Sequence, residues 1–116
     1  MRTLHAAIVA GAFAASAACN PVDRSVRAWI ESRDTAGAIV AGARVEIDGQ
    51  PSGLTDARGL YRVKIRRRVG EKIQLHVSEE GPELREWSGF FTVSSAGTPS
   101  ETRGGRVIAV LVHGGT

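Results

Sequence analysis

The sequence predicts an all-β protein, an antiparallel β-sandwich of six or seven short strands that follows an N-terminal signal peptide. Apolar and polar residues alternate with a period of two along several segments after residue 25, as half-buried strands require. Turn residues separate these segments at intervals of roughly 8 to 12 residues, a spacing typical of sandwiches and small barrels. Beyond residue 25, the sequence has no helical periodicity of useful length.

Five segments have an alternating apolar face, and a sixth is apolar almost throughout. In chain order the alternating faces are Val26, Ala28 and Ile30; Val45 and Ile47; Tyr61, Val63 and Ile65; Ile73, Leu75 and Val77; and Trp87, Phe91 and Val93. Residues 48–53 are predicted as a turn and residues 94–105 as a loop, because both are rich in turn residues. Gly89 lies inside the fifth segment and indicates a bulge or a close backbone approach. The sixth segment, 106–112, is predicted as a strand covered on both faces.

The first 18 residues have the pattern of a secretory signal peptide. Arg2 gives a basic start, residues 6–15 form an apolar run, and residues 16–18 are small, as a cleavage site requires. The apolar run is too short for a spanning helix, which needs about 20 residues. We expect residues 1–18 to be removed on export, which leaves 98 of the 116 residues, enough for one compact domain.

Cys19 is the single cysteine of the chain and directly follows the small residues. A secreted chain with one cysteine forms no internal disulfide, and a free thiol is a liability in an oxidising compartment. The segment from Ser16 to Cys19 resembles the lipobox of bacterial lipoproteins, in which the cysteine becomes the first mature residue and carries the lipid. The resemblance implies a membrane anchor on Cys19, and Asn20, where retention in the inner membrane typically shows Asp, implies the periplasmic face of the outer membrane.

An alternative remains open for the N-terminus. The lipobox position occupied by Ser16 is usually Leu, and the small residues Ala17 and Ala18 also fit ordinary signal peptidase cleavage. That cleavage would give a secreted or periplasmic protein without lipid. We assign residues 19–24 to lipid attachment and spacer, and residues 25–113 to the β-sandwich.

The charge of the mature chain does not indicate nucleic-acid binding. Arg2 leaves with the signal peptide, so 14 of the 15 basic residues remain against 12 acidic residues, a net charge of +2. A nucleic-acid partner normally calls for a basic stripe on one face.

A segment in the middle of the chain resembles a known family of β-sandwiches. It contains two short motifs, first Gly42, Ala43 and Val45, and then Thr55, Asp56, Gly59 and Tyr61. These match the Gly-Ala-x-Val strand and the Thr-Asp-x-x-Gly-x-Tyr pattern of the carboxypeptidase regulatory-like domain, a transthyretin-like module. The resemblance covers roughly residues 25–93 and implies an accessory module that stands here without an enzymatic domain.

The second motif also has a structural interpretation from its residues. Asp56 can accept hydrogen bonds from the following backbone N–H groups, and Gly59 can adopt a positive φ. Tyr61 is expected on the core face of its strand, with a hydroxyl that needs a partner at the rim. A cation site on Asp48 and Asp56 is the alternative, but calcium takes six to eight oxygen ligands, so we expect neither a metal nor a cofactor.

Enzymatic activity is not expected, because the candidate catalytic residues are isolated from one another. Cys19 would need a base to act as a nucleophile, and His76 and His113 are distant in sequence and lack a local signature. An isopeptide crosslink is not expected either, since Lys64 and Lys72 fall on predicted solvent-facing positions.

Trp29 and the run Arg66, Arg67 and Arg68 are the candidate partner contacts. Trp29 shares its parity with Arg27 and Glu31, which places an aromatic ring on the polar face of its strand. It is either covered by the spacer or a loop, or it contacts a protein partner or a sugar ring. The arginine run is either a solvated hairpin end or a contact for lipid head groups or an anionic glycan.

These observations lead to two functional hypotheses. The first is a non-enzymatic, lipid-anchored β-sandwich of the bacterial cell envelope, which acts as a binding or structural accessory module. Its partners would be the membrane, through Cys19, and an unidentified envelope protein or glycan. The alternative is a secreted, non-lipidated β domain that binds carbohydrate or protein.

Overall fold

The computed structural model describes residues 23–102 and 104–113 of the chain. The predicted signal peptide, Cys19 and the spacer up to residue 22 lie outside the described residues. These residues include ten strands, namely β1 (Asp23–Ser25), β2 (Ala28–Arg33), β3 (Arg44–Ile47), β4 (Gln50–Leu54), β5 (Leu60–Val63), β6 (Arg66–Arg68), β7 (Lys72–Glu79), β8 (Arg85–Thr92), β9 (Arg106–Val110) and β10 (Val112–His113). In the part of the chain that the structure describes, no helix long and apolar enough to cross a membrane is present.

The strands form a large and a small sheet that share one hydrophobic core, so the predicted all-β sandwich is confirmed. The large sheet has the order β10-β8-β7-β3-β4, the small sheet has the order β5-β2-β9, and β1 pairs with β6 in a separate ladder. The inward residues of the small sheet are Ala28, Ile30, Val63, Val107 and Ala109, and those of the large sheet include Val45, Ile47, Ile73, Leu75, Val77 and Phe91. Burial of these alternate positions explains the period of two in the sequence.

The predicted turn over residues 48–53 is wrong for most of its length. Only Asp48 and Gly49 form the turn, with φ of 51° and 79°, and β4 starts at Gln50. Two positive φ values are what a two-residue hairpin of type I′ requires, and Asp-Gly is a preferred pair for it. Pro51 is accommodated because β4 lies at the edge of the large sheet.

The prediction of a doubly covered last strand over 106–112 is also wrong. β9 alternates between buried and exposed residues, and its outward residues Ile108 and Val110 are 50% and 39% exposed. β9 is an edge strand and pairs with β2 in parallel, so the sandwich is mixed rather than wholly antiparallel. Leu111 is fully buried where the chain crosses to the large sheet to form β10.

Two further details differ from or refine the predictions. The first strand begins at Asp23, so residues 23 and 24, assigned to the spacer, belong to the folded domain. The pairing of β7 with β8 runs without a register shift past Gly89, so there is no bulge. Instead, the ring of Trp87 occupies the space that a Cβ atom at Gly89 would need.

Candidate binding surface

Thr55 is fixed by buried hydrogen bonds to the backbone of a neighbouring loop. Its Oγ1 accepts a hydrogen bond from the N–H of Ala43 at 2.8 Å and donates one to the carbonyl of Val40 at 3.1 Å. The buried hydroxyl of Ser32 lies 2.5 Å from the same Val40 carbonyl and 3.2 Å from Thr55 Oγ1. Thr55 therefore connects β2 with the segment before β3.

The turn that leads into β5 contains Asp56 and Gly59, and Tyr61 follows it within the strand. Asp56 Oδ1 accepts hydrogen bonds from the N–H groups of Leu60 at 3.0 Å and Arg58 at 2.8 Å, and these bonds hold the pKa of its carboxyl below the ordinary value of 3.8. Gly59 has a φ of 74°. The hydroxyl of Tyr61 lies 2.5 Å from Ser52 Oγ and donates to the Ser52 carbonyl at 3.1 Å.

Trp29 lies on the outer face of the small sheet and is 39% exposed. Its neighbours in register are Arg62 on β5 and Arg106 on β9. It also lines an open cleft of about 390 Å³, together with Arg27 and Arg62. Trp29 is thus an accessible aromatic side chain beside cationic groups.

The run Arg66 to Arg68 does not form one cluster, because its side chains alternate along β6. Arg67 is half-buried and makes ion pairs, with its Nη2 3.4 Å from Asp48 Oδ2 and its Nε 3.7 Å from Glu71 Oε2. Arg66 and Arg68 are exposed. Within the run, carboxylates therefore neutralise Arg67, whereas Arg66 and Arg68 are exposed.

Arg66 belongs to a larger feature, which we call the basic cleft. It has a volume of about 550 Å³. One side is formed by residues 25–27, from the end of β1 into the β1–β2 link, and the other by residues 62–66, from β5 through the β5–β6 link to the start of β6. Its lining consists of Ser25, Val26, Arg27, Arg62, Val63, Lys64, Ile65 and Arg66. Val26 and Val63 are buried, whereas the four cationic side chains are exposed.

The four cations of the basic cleft, Arg27, Arg62, Lys64 and Arg66, are not neutralised by carboxylates. Elsewhere in the described part of the chain, many arginines form ion pairs with carboxylates, among them Arg33, Arg44, Arg67, Arg85 and Arg106. Within residues 23–102 and 104–113, none of the four cleft cations makes an ion pair, and no carboxylate lines the cleft. The cleft is therefore a concentration of uncompensated positive charge.

A second group of polar side chains lies on the outer face of the large sheet. His76 is placed between two carboxylates, with its Nε2 2.7 Å from Glu86 Oε1 and its Nδ1 3.6 Å from Glu46 Oε1. Asp48, which the alternative cation site would combine with Asp56, accepts a hydrogen bond from the N–H of Gln74 at 2.9 Å. Over the described ranges, no three His, Cys, Asp or Glu side chains are arranged to hold a metal ion.

Sequence reasoning missed the three cations that join Arg66 in the cleft. Arg62, Lys64 and Arg66 were visible as the polar positions of one alternating segment, and that alternation is the signal that could have identified the row. Arg27 could not be added, because its position opposite the row depends on the pairing of β2 with β5. That pairing joins residues that are 29 to 35 positions apart in the chain.

Comparisons with protein-family models, with curated proteins and with solved structures found no match for this chain. The resemblance of the Thr55 to Tyr61 segment to the carboxypeptidase regulatory-like domain therefore stays a prediction.

Proposed function

We propose that the chain is a lipid-anchored β-sandwich of the bacterial cell envelope that acts as a non-enzymatic binding or structural accessory module. The observation that supports this best is the position of the basic cleft relative to Cys19. The cleft begins at Ser25, six positions after the cysteine that would carry the lipid. In the sequence, the proposed anchor therefore comes shortly before the segment that forms one side of the basic cleft.

The short spacer limits how far the domain can stand from the membrane. β1 begins at Asp23, four residues after Cys19. A fully extended chain spans at most about 3.6 Å per residue, so the first strand starts within about 14 Å of the lipidated residue. A module held this close acts at the membrane surface rather than at a distance from it.

The proposal is tested by the distribution of the protein between the membrane and the soluble periplasm of a Gram-negative host. The wild type is expected in the membrane fraction, and Cys19→Ser is expected in the soluble fraction or as an unprocessed precursor. Ser16→Leu, which introduces the residue usual in lipoboxes, serves as the matched control and should remain in the membrane. A soluble wild type would overturn the lipid anchor.

The alternative function, a secreted domain that binds carbohydrate or protein, draws support from Phe90. This side chain is 47% exposed on the outer face of the large sheet, with Lys72 Nζ 4.4 Å from its ring centroid and Gln74 opposite it in register. An exposed aromatic ring beside hydrogen-bonding groups is suited to a sugar ring or a protein partner.

Retention of the processed Cys19→Ser protein on immobilised peptidoglycan tests this alternative. Retention that Phe90→Ala abolishes, but Val110→Ala does not, would favour the carbohydrate-binding module. Equal elution of all three proteins without retention would count against it.

A further inference from the structure

We propose that the basic cleft binds the phosphate groups of anionic lipid headgroups in the leaflet to which Cys19 is attached. The preference for an anion rests on the cleft alone. The choice of a lipid as the source of the phosphate rests on the anchor proposed above.

The basic cleft concentrates positive charge. Arg27, Arg62, Lys64 and Arg66 bring four positive charges to one cavity that no carboxylate lines in the described part of the chain. The acidic residue nearest along the chain, Asp23, pairs in register with Arg68 and lies outside the lining. Like charges that line the same cleft repel one another, and a bound anion relieves the repulsion.

Neutral hydrogen-bond partners orient two of the guanidinium groups of the cleft. Arg27 Nη2 donates to the carbonyl of Ala96 at 3.0 Å, and Arg66 Nη1 donates to Ser25 Oγ at 3.1 Å. Each guanidinium has five N–H donors, so these bonds fix the groups and leave donors free. Oriented arginines with free donors are well suited to phosphate, which they can bind in a bidentate manner.

Three of the four cations follow one another in a row along the chain. Arg62 lies in β5, Lys64 in the β5–β6 link and Arg66 at the start of β6, so the row extends over up to about 14 Å. This length exceeds that of a single phosphate group. It suits several phosphates side by side, which is how a membrane surface presents them.

An aromatic residue lies beside Arg62 at one end of the row. Trp29 is partly exposed and lies in register with Arg62. Tryptophan is enriched at the level of the headgroups, where its ring is in apolar surroundings and its N–H is hydrated. A cleft with an adjacent accessible tryptophan therefore fits a lipid surface better than a soluble phosphate compound.

Vesicle binding tests the proposal with a Cys19→Ser chain that is expressed from residue 19 without the signal peptide. This chain lacks the lipid and so separates cleft binding from anchoring. We expect co-sedimentation with phosphatidylglycerol vesicles, little with phosphatidylcholine vesicles, and weakening as salt is added. In a Trp87→Phe background, the fluorescence of Trp29 should shift to shorter wavelength on binding. Inorganic pyrophosphate is titrated separately as the soluble source of the same chemistry.

Two double variants of equal charge decide whether the cleft itself is responsible. Arg62→Ala with Lys64→Ala removes two cleft cations, and Arg44→Ala with Arg58→Ala removes two exposed cations that lie outside its lining. Since a basic residue near an anionic surface contributes about fivefold in affinity, we expect the first pair to weaken vesicle binding at least tenfold and the second pair to change it about twofold or less. Unfolding by urea establishes that both variants are folded.

Three results would overturn the proposal. Equal losses in the two double variants would mean that only net charge matters. Binding of pyrophosphate without binding of vesicles would assign the cleft to a soluble phosphate compound, and binding of neither would remove the anion site. The mass of the wild-type N-terminus is measured separately, so a failed anchor and a failed cleft give different results.

Discussion

At the residue scale, the clearest structural roles belong to polar groups with backbone partners. The turn of Asp56 involves residues within four positions of it, so the sequence motif predicts it directly. The partners of Thr55 lie 12 and 15 residues away, and nothing in the local sequence predicts them. The burial of Glu31 is equally hard to predict from the local sequence. Its carboxylate forms ion pairs with Arg33 and with Arg106, and Arg106 is 75 residues away.

Thr55→Val is expected to lower the free energy of unfolding by about 1 to 3 kcal/mol, because it leaves the buried N–H of Ala43 without an acceptor. Urea denaturation of the two proteins measures the loss. Thr55→Ser keeps the hydroxyl and serves as the control, with a smaller expected loss. A valine variant as stable as the serine variant would contradict this role of the hydroxyl.

The carboxylate of Asp56 is expected to make stability depend on pH in the acidic range. Its folded-state pKa lies below 3.8 because the N–H groups of Leu60 and Arg58 favour the charged form. The unfolded state therefore binds a proton first as the pH falls, so the contribution is present above about 3.8 and is lost as the pH passes through the folded-state pKa.

Comparison of wild type with Asp56→Asn checks this dependence. We expect the wild type to have the higher urea midpoint at neutral pH, and the difference should close on acidification below about 3.8. A difference that is unchanged across this range would show that the charge of Asp56 contributes nothing.

At the element scale, the sequence predicts strands well where one face is buried and the other is wet. β2, β5, β7 and β8 all overlap predicted segments. β9 was misjudged because exposed Ile108 and Val110 have the same sequence signature as buried residues. β1, β6 and β10 have two or three residues each, too few for a period to be recognised, and their pairing depends on distant partners.

Gly59→Ala tests the turn that leads into β5. A Cβ atom there would lie 2.9 Å from the Ser32 carbonyl oxygen and 2.7 Å from Ile39 Cγ2, at a φ of +74°. Gly42 has nearly the same φ, +71°, but open space around it, so Gly42→Ala isolates the backbone cost of about 1 to 2 kcal/mol. We expect Gly59→Ala to cost about 1 to 3 kcal/mol more, because the backbone oxygen cannot move aside easily. Equal losses in thermal or urea unfolding would contradict this steric account.

At the scale of the whole molecule, one core joins the two sheets, and the basic cleft depends on how distant segments pair. The core was largely predictable, because the buried residues are the apolar positions of the alternating segments. The basic cleft was not, since its two sides come from Ser25 to Arg27 and from Arg62 to Arg66. A sequence shows the charges on each segment but not which segments face each other.

A single shared core predicts that both sheets unfold together. The chain has two tryptophans, Trp29 on the small sheet and Trp87 on the large sheet. Trp87→Phe leaves a fluorescence probe on the small sheet, and Trp29→Phe leaves one on the large sheet. In each variant, the fluorescence midpoint in urea should coincide with the midpoint from circular dichroism. Separate midpoints for the two probes would mean that the sheets are independent units.

The proposed function requires that a lipid on Cys19 holds this domain at a membrane. The most direct measurement is the intact mass of the mature wild-type protein extracted from host membranes. A chain that begins at Cys19 and carries the added mass of acyl groups is the result that this account predicts. A chain that begins at Ala18, or at Cys19 without added mass, would contradict it and leave the secreted binding domain as the better description.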